Sequence, residues 1–386
     1  MNDKIDTKRT LAMLGWLMVT GLGTLQLQPV LGGALIDRAG VGLSQMALLF
    51  GGELVAMAVG SGVAALCLNR FDRRFICLAG LALVAVSGVS SAFAGSYALL
   101  CLSRCVAGAG GGAVQAVIYG TTALRAKKDQ TFAAINISLL LWGAITVTAT
   151  PLVINRIGVA GVFLSFTLMA VLAIPGVKLI PPHAQASVRS NSVSAPRLGV
   201  KDVGILALFA LLFGGHGVLW VYQERIGHAI GMSPAAIGAV LGLGVLAGAV
   251  GSAIAGALNR RLSHTSAQMI AFTGSILASL VIVYGQSSVA YAGAAWLLMA
   301  VWFFGLTYLL ALTAERDPTG RLTALGNASV FVGQGLGPMA AAMVVGAGNF
   351  RSVGWLSSGV YLVCIGITLF VTADLKRRIG GFAAGK

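Results

Sequence analysis

The sequence is short of charged residues, and this shortage decides the class of protein. Asp, Glu, Lys and Arg make up only 10% of its 386 residues, whereas a soluble domain carries about 25%. So few charges cannot cover a water-exposed surface, which excludes a soluble protein. Hydrophobic residues account for 57% of the chain, and the mean hydropathy is +0.90. We therefore predict an integral membrane protein.

Residues that carry enzyme chemistry are also scarce. The four histidines are scattered over different segments, and the five cysteines are odd in number and lie in or beside apolar runs. This pattern predicts no metal site, no cofactor and no disulfide framework. The sequence also has no Gly-Lys-Ser/Thr loop of the kind that binds nucleotide phosphates. We therefore predict that the chain is not an enzyme and has no catalytic residues.

Long apolar runs make up most of the sequence. A helix needs about 20 mostly apolar residues to cross the bilayer core, and twelve stretches meet this requirement. They are 10–36, 45–68, 75–94, 97–122, 131–153, 161–180, 202–226, 234–258, 266–285, 290–314, 321–346 and 353–375. The sequence thus predicts an all-α integral membrane protein of twelve transmembrane helices joined by short loops.

The longest connection divides these spans into equal halves. Residues 181–201 are rich in Pro, Ser and Ala and fall between the sixth and seventh spans, which is typical of a linker. We predict an N-terminal six-helix bundle (1–180), a cytoplasmic linker (181–201) and a C-terminal six-helix bundle (202–386).

The positive charges are distributed asymmetrically. The net charge is +15, but the basic residues form short clusters between apolar runs, so we predict no nucleic-acid binding. With the N-terminus inside, 21 of the 26 Lys and Arg residues fall in cytoplasmic segments and four fall outside; Arg104 lies within a span. Short loops rich in Lys and Arg stay in the cytoplasm. We therefore predict a multi-pass protein of the plasma (cytoplasmic or inner) membrane with both termini cytoplasmic.

Small residues repeat every fourth position in the second and eighth spans, at an offset of 192 residues. The two series are Gly52, Ala56, Gly60, Ala64 and Gly244, Gly248, Ser252, Gly256. An Asn-Arg pair follows each series at an offset of 190. Such small residues let helix backbones approach closely. The matches predict a duplicated six-helix unit with pseudo-symmetric halves.

Three local motifs point to one family. The fourth span contains Arg104-Cys-Val-Ala-Gly108-Ala-Gly110, and the eleventh contains Gly333-Gln-Gly-Leu-Gly337-Pro338. The loop after the second span holds Asn-Arg-Phe-Asp-Arg-Arg at 69–74. These resemble the R-x-x-x-G-x-G signature, the G-x-x-x-G-P antiporter signature and the basic loop of the major facilitator superfamily. The resemblance covers the whole chain.

The resemblance implies a secondary transporter whose two bundles rock about a site near the membrane midplane. With the small-residue series, it suggests gating or packing roles for a set of loop and helix residues. These are Gly60, Arg70, Arg73, Gly108, Gly248, Gly337 and Pro338.

Two charges, Glu53 and Arg104, lie well inside the predicted spans and away from their ends. A charge inside a bilayer costs at least a few kcal/mol. At 1.5 Å per residue, both lie roughly 10–14 Å below the outer surface. We predict that they form a pair, which either couples transport to protons or is a static ion pair that joins two helices.

Uncharged polar, histidine and aromatic residues inside the spans are candidate contacts for a solute, because small-molecule pockets combine aromatic side chains with a few polar groups. Packing between helices is the alternative for each of them. The candidates are Gln26, Gln28, Gln115, Trp142, His216, Trp220, Gln223, Trp302, Asn327 and Gln334. In the seventh span His216, Trp220 and Gln223 are predicted to share one face. We expect charge coupling in the first half and much of the solute contact in the second.

These observations predict a secondary active transporter that moves a small organic solute by alternating access, coupled to protons. Its partners would be the solute, protons and the lipid bilayer, and we expect a monomer. Arg104 favours an anionic solute, as in organic-anion uptake. The alternatives are a proton-coupled efflux antiporter for drugs or metabolites and, more remotely, a scaffold or receptor that transports nothing.

The charge asymmetry makes a testable prediction about topology. An impermeant thiol reagent added to intact cells should label Arg351→Cys, because that position is predicted to lie outside. It should not label Ser190→Cys in the linker until the membrane is permeabilised. Labelling of Ser190→Cys in intact cells would contradict the predicted orientation.

Overall fold

The computed structural model describes residues 6–68, 70–182, 199–258, 261–317 and 321–383, and within these ranges the regular secondary structure is helical. The first five helices are α1 (Lys8–Ala39), α2 (Leu43–Cys67), α3 (Arg73–Ala92), α4 (Tyr97–Thr122) and α5 (Lys128–Ala173). A 3₁₀ helix, Ile174–Leu179, follows α5. The remaining helices are α6 (Val200–Trp220), α7 (Gln223–Ala229), α8 (Pro234–Leu258), α9 (His264–Tyr284), α10 (Ser288–Arg316), α11 (Arg321–Val344) and α12 (Phe350–Ala383).

The chain separates into two compact units. One comprises Met1–Val193 with Met232–Gly242, and the other comprises Ser194–Gly231 with Leu243–Lys386. The first unit therefore holds α1 to α5 and the start of α8, and the second holds the other helices. Most of the predicted linker, 183–198, lies outside the described residues, so its cytoplasmic position and the predicted domain bounds stay predictions.

A helical segment corresponds to each of the twelve predicted spans. Ten described helices are long and apolar enough to cross a membrane, and Ala328–Val344 of α11 is a shorter apolar helix. One of the ten, Gln130–Leu179, contains two predicted spans. Helices satisfy their own backbone hydrogen bonds, as the hydrocarbon core requires. The prediction of an all-helical membrane protein is confirmed.

Glycine divides α5 into those two spans. Gly158 has φ 72° and ψ 179°, which interrupts the helical backbone between 128–157 and 159–173. Glycine adopts a positive φ at little cost because it has no Cβ atom. The turn therefore falls at Gly158, within the predicted loop.

Short polar side chains mark where several helices begin. Asp72 accepts a hydrogen bond from the backbone N–H of Arg74 (2.7 Å), and Ser96 accepts one from Leu99 (3.2 Å). Each bond satisfies a backbone donor that the first helical turn leaves unpaired. These caps place the starts of α3 and α4 next to the predicted loops.

Glycines let α4 lie directly against three neighbouring helices. A Cβ atom on Gly108 would collide with the backbone oxygen of Glu53 in α2, and one on Gly112 with that of Met57. On another side of α4, a Cβ on Gly111 would collide with the backbone oxygen of Gly21 in α1. A Cβ on Gly110 would lie 2.6 Å from the backbone oxygen of Gly80 in α3. The glycine run of α4 is therefore a packing surface for the first unit.

The small-residue series in α2 and α8 meet their neighbours differently. A Cβ on Gly60 would collide with the backbone of Ala109 in α4, in agreement with a close helix contact. In α8, however, a Cβ on Gly248 would meet the ring of Phe303, and one on Gly256 would meet nothing within 4 Å. The contact of α8 with the α10 backbone is made by Gly251, which meets Ala300. The series in α8 therefore also faces α10, where Ser252 shares a hydrogen bond with Thr307 (3.1 Å), but the closest approach to the α10 backbone is at Gly251 beside it.

A second close contact joins α6 and α11. A Cβ on Gly333 would collide with the backbone of Ala210, and one on Gly337 with that of Gly214. Pro338 packs over Gly217, where a Cβ would lie 3.1 Å from the proline Cδ. Gly337 and Pro338 thus contribute to the packing of the second unit.

The α2–α4 contact makes a testable prediction about stability. Gly60→Ala should lower the free energy of unfolding by about 1–3 kcal/mol, because the added methyl group overlaps the backbone of α4. Gly62→Ala is the matched control on the same helix, since a Cβ there would meet nothing within 4 Å. Thermal unfolding of the purified variants in detergent measures the difference. Equal melting temperatures would refute the close contact.

Candidate functional site

The two charges predicted to pair lie side by side in the first unit. Arg104 of α4 donates from Nε to Oε2 of Glu53 in α2 at 3.1 Å, and its Nη2 pairs with Oε1. The side chains are only 3% and 1% exposed, respectively. The guanidinium therefore binds the carboxylate through two parallel contacts, the geometry that makes such pairs strong and directional.

Two further helices complete the surroundings of this pair. Thr24 of α1 donates its hydroxyl to Oε1 of Glu53 at 3.0 Å. The Arg104 guanidinium carbon lies 5.4 Å from the centre of the Phe163 ring in α5, within cation–π range. The carboxylate thus receives contacts from α1 and α4, and the arginine is also covered by α5.

A small cavity adjoins the pair. Its volume is about 10 Å³, enough for about one water molecule. The residues lining it come from α1 to α5: Thr20, Gly21, Thr24, Glu53, Val84, Gly88, Arg104, Ala107 and Phe166. The pair is therefore buried but has room for a proton donor or acceptor beside it.

The four other candidates in the first unit do not line this cavity. Gln26 of α1 packs against Gly143 of α5, and a Cβ atom on Gly143 would lie 2.8 Å from Cγ of Gln26. Trp142 of α5 packs against Gly23 of α1, and a Cβ atom on Gly23 would lie 2.7 Å from Nε1 of Trp142. Gln115 of α4 donates a long hydrogen bond of 3.4 Å to the hydroxyl of Tyr119. Among the described residues, Gln28 Nε2, Gln115 Oε1 and Trp142 Nε1 are buried without a hydrogen-bond partner.

An aromatic cluster forms in the second unit. The His216 ring of α6 stacks against Trp302 of α10 at 4.7 Å and against Trp220 at 5.4 Å, measured between ring centres. His216 Nε2 lies 3.3 Å from the sulfur of Met299, and Trp302 donates to the backbone oxygen of Leu212 at 3.1 Å. His216, Trp220 and Trp302 thus form a packed stack between α6 and α10.

Gln223 was predicted to share a helical face with His216 and Trp220, but it belongs to the next helix. α6 ends at Trp220, and Gln223 begins α7 after a two-residue turn. The hydroxyl of Tyr291 in α10 donates to the backbone oxygen of Gln223 at 2.7 Å. The Gln223 side chain is buried, and neither of its polar atoms has a partner among the described residues. The predicted common face assumed one unbroken helix, and this turn interrupts it between Trp220 and Gln223.

A second buried ion pair, which sequence analysis missed, follows Gln223. Arg225 Nε and Nη2 lie 2.5 Å and 2.9 Å from the carboxylate oxygens of Glu224, the preceding residue. Their side chains are 10% and 5% exposed. Glu224 falls within the predicted seventh span, so the acidic–basic dipeptide at the end of that apolar run was the signal that could have found it.

The remaining candidates lie at the ends of helices or in the α6–α11 contact. Arg73 of α3 is buried and donates to the backbone oxygen of Gly120 in α4 at 3.0 Å. Arg70 is exposed in the turn before α3. Gln334 of α11 is half-buried, and its backbone oxygen packs near Gly217 of α6. The side chain of Asn327 lies outside the described residues.

The ion pair predicts a specific result in a double-mutant cycle. Arg104→Met should cost about 3–5 kcal/mol of stability, because it leaves the buried Glu53 carboxylate without its charge partner. Glu53→Gln combined with Arg104→Met should recover part of this loss, since no charge is then stranded. Melting temperatures in detergent measure the coupling.

The control for this cycle is Arg351→Met at the start of α12, where the arginine is exposed. That change should remain within about 0.5 kcal/mol of the original protein. Strictly additive losses for Glu53 and Arg104 would show that the two side chains do not interact.

Comparisons with known proteins give a consistent result. The family model described as Major Facilitator Superfamily matches residues 10–317. A search of curated proteins gives no significant sequence match. Three similar solved structures are a D-xylose–proton symporter, a single-residue mutant of the nucleoside transporter NupG, and the xylose transporter XylE from E. coli in an inward-open conformation.

The three structures share the fold of this chain at low sequence identity. For the D-xylose–proton symporter the TM-score is 0.74 at 16% identity, covering 93% of this chain and 96% of that one. For NupG the TM-score is 0.72 at 11% identity, covering 94% of this chain and 98% of that one. For XylE the TM-score is 0.71 at 14% identity, covering 93% of this chain and 95% of that one. With a family model that spans most of its helices and a shared fold over nearly its whole length, the chain belongs to the Major Facilitator Superfamily and is a secondary transporter, not an enzyme.

Proposed function

We propose that this protein couples the transport of a small polar organic solute to the movement of protons, with Glu53 as the proton-binding group. The observation that carries the proposal is the position of the Glu53 carboxylate. It is 1% exposed, faces a cavity for about one water molecule and is bound by groups from two other helices.

Glu53 can bind and release a proton if its surroundings change during transport. Burial favours the neutral carboxylic acid, whereas a nearby arginine favours the charged carboxylate. Alternating access changes hydration and helix positions together. A carboxylate held between these opposing effects therefore exchanges its proton as the transporter changes state.

The contacts of Arg104 bear on the kind of solute. Its Nε and Nη2 both face Glu53, so an anionic solute would have to compete with that carboxylate for the guanidinium. Buried carboxamide atoms without partners among the described residues occur in both units, on Gln28, Gln115 and Gln223. Unpaired buried polar groups are costly and often mark functional positions. They support a hydroxyl- or amide-bearing solute that is recognised by hydrogen bonds.

The low-identity structural neighbours fit this choice of solute and coupling. One is a D-xylose–proton symporter and another a nucleoside transporter, so the fold serves polar solutes, in one case together with protons. Proton-coupled efflux is the second candidate. It is supported by the Gly337-Pro338 motif, which lies in the close α6–α11 contact.

The proposal predicts a separation of transport from proton coupling. In vesicles that contain only this protein and a trapped pH dye, one solute from a panel should drive proton movement. The panel is a pentose, a nucleoside, a dicarboxylate and a lipophilic cation. Glu53→Gln should still exchange labelled solute across the membrane but should move no protons, because its side chain cannot ionise.

Glu315→Gln is the matched control, since this carboxylate is largely exposed and pairs with His264 at 2.9 Å. It should leave proton coupling intact. Normal proton movement in Glu53→Gln would overturn the role of Glu53, and no solute movement at all would favour a scaffold or receptor. The direction of the proton relative to the solute distinguishes uptake from efflux.

A further inference from the structure

Thr24 holds one oxygen of Glu53 from a third helix. Its hydroxyl donates to Oε1 at 3.0 Å, and this is the oxygen that also faces Arg104 Nη2. Thr24 is buried in α1, whereas Glu53 and Arg104 belong to α2 and α4. Sequence analysis did not select Thr24, because threonine is common in apolar helices and carries no charge.

We propose that Thr24 is a positioning residue that sets the pH at which Glu53 takes up its proton. This inference rests on the proposed role of Glu53 in proton coupling. A hydroxyl donated to a carboxylate is a charge-assisted hydrogen bond, which is about twice as strong as one to a neutral acceptor. Thr24 therefore favours the charged form of Glu53, and losing this bond favours proton uptake.

The location of Thr24 makes proton binding sensitive to the position of α1. The hydrogen bond joins α1 to α2, and it weakens steeply when the donor and acceptor separate or tilt. α1 is also packed closely on α4, where a Cβ on Gly21 would lie 3.2 Å from the backbone oxygen of Gly111. A shift of α1 against α2 would therefore release the hydroxyl from the Glu53 carboxylate.

Other charged or titratable groups near Glu53 would also influence its proton binding. Among the described residues, the charged and titratable groups that face it are Arg104 and Cys105, both on α4. The parts of α1, α3 and α5 that line the cavity carry threonine, glycine, valine and phenylalanine, none of which titrates there. A change at Thr24 thus alters one hydrogen bond and removes no charge.

Difference infrared spectroscopy tests the proposal without a known solute. The purified full-length protein is titrated with pH in detergent, and the carbonyl band of a protonated carboxylic acid is followed. Glu53→Gln assigns this band by removing it. In Thr24→Val the band should appear at a pH about one unit higher than in the original protein, because one hydrogen bond to the charged form is lost.

Two control variants and a second test variant make the result specific. Thr24→Ser keeps the hydroxyl and should restore the original midpoint. Thr20→Val changes a threonine that lines the same cavity but donates to the backbone oxygen of Trp16 at 2.8 Å, so its midpoint should not move. Thr24→Ala should shift the midpoint as Thr24→Val does, and it replaces Thr24→Val in the test if the valine variant folds poorly.

The outcomes separate this inference from the proposed function. An unchanged midpoint in Thr24→Val and Thr24→Ala, with a Glu53 band present, would overturn the role of Thr24 alone. An equal shift in Thr20→Val would also overturn it, since the effect would then belong to the cavity. Absence of any titrating Glu53 band would overturn both the inference and the proposed proton site.

Discussion

The close backbone contact between α4 and its neighbours is the constraint on which the first unit depends. Gly108 lies against the backbone oxygen of Glu53, and one helical turn earlier Arg104 binds the side chain of the same residue. The spacing of four residues in the R-x-x-x-G motif therefore has a direct physical reason. Glycine brings the two helices close enough for the guanidinium to reach the carboxylate, and a larger residue would separate them.

The surroundings of the ion pair depend on the positions of three helices. The Glu53 carboxylate has its polar contacts supplied by α1 and α4, while its own backbone belongs to α2. Inside a bilayer, water does not readily replace a lost contact, so a displacement of one helix would leave a buried charge less well compensated. A static pair and a proton site have the same contacts at rest, and they differ only in whether these helices move.

The second unit is organised differently despite the sequence repeat. Its buried ion pair joins adjacent residues, Glu224 and Arg225, so both charges move with the same short helix. Between α6 and α10 it has a stack of His216 with two tryptophans. A pair between helices responds to their relative motion, whereas a pair within one turn does not. Charge coupling in the first unit and solute contact in the second both remain proposals.

The sequence by itself determined the class of protein, the helical segments and the common depth of Glu53 and Arg104. It could do so because the hydrocarbon core demands long apolar helices, and because a helix rises by a constant 1.5 Å per residue. Only the tertiary structure decided which faces meet: that Thr24 binds Glu53, that Gly251 makes the contact of α8 with the α10 backbone, and that Gln223 lies beyond a turn. In a membrane protein, lipid-facing and buried surfaces are both apolar, so residue spacing does not reveal how each helix is rotated about its axis. That rotation is set by packing against neighbouring helices.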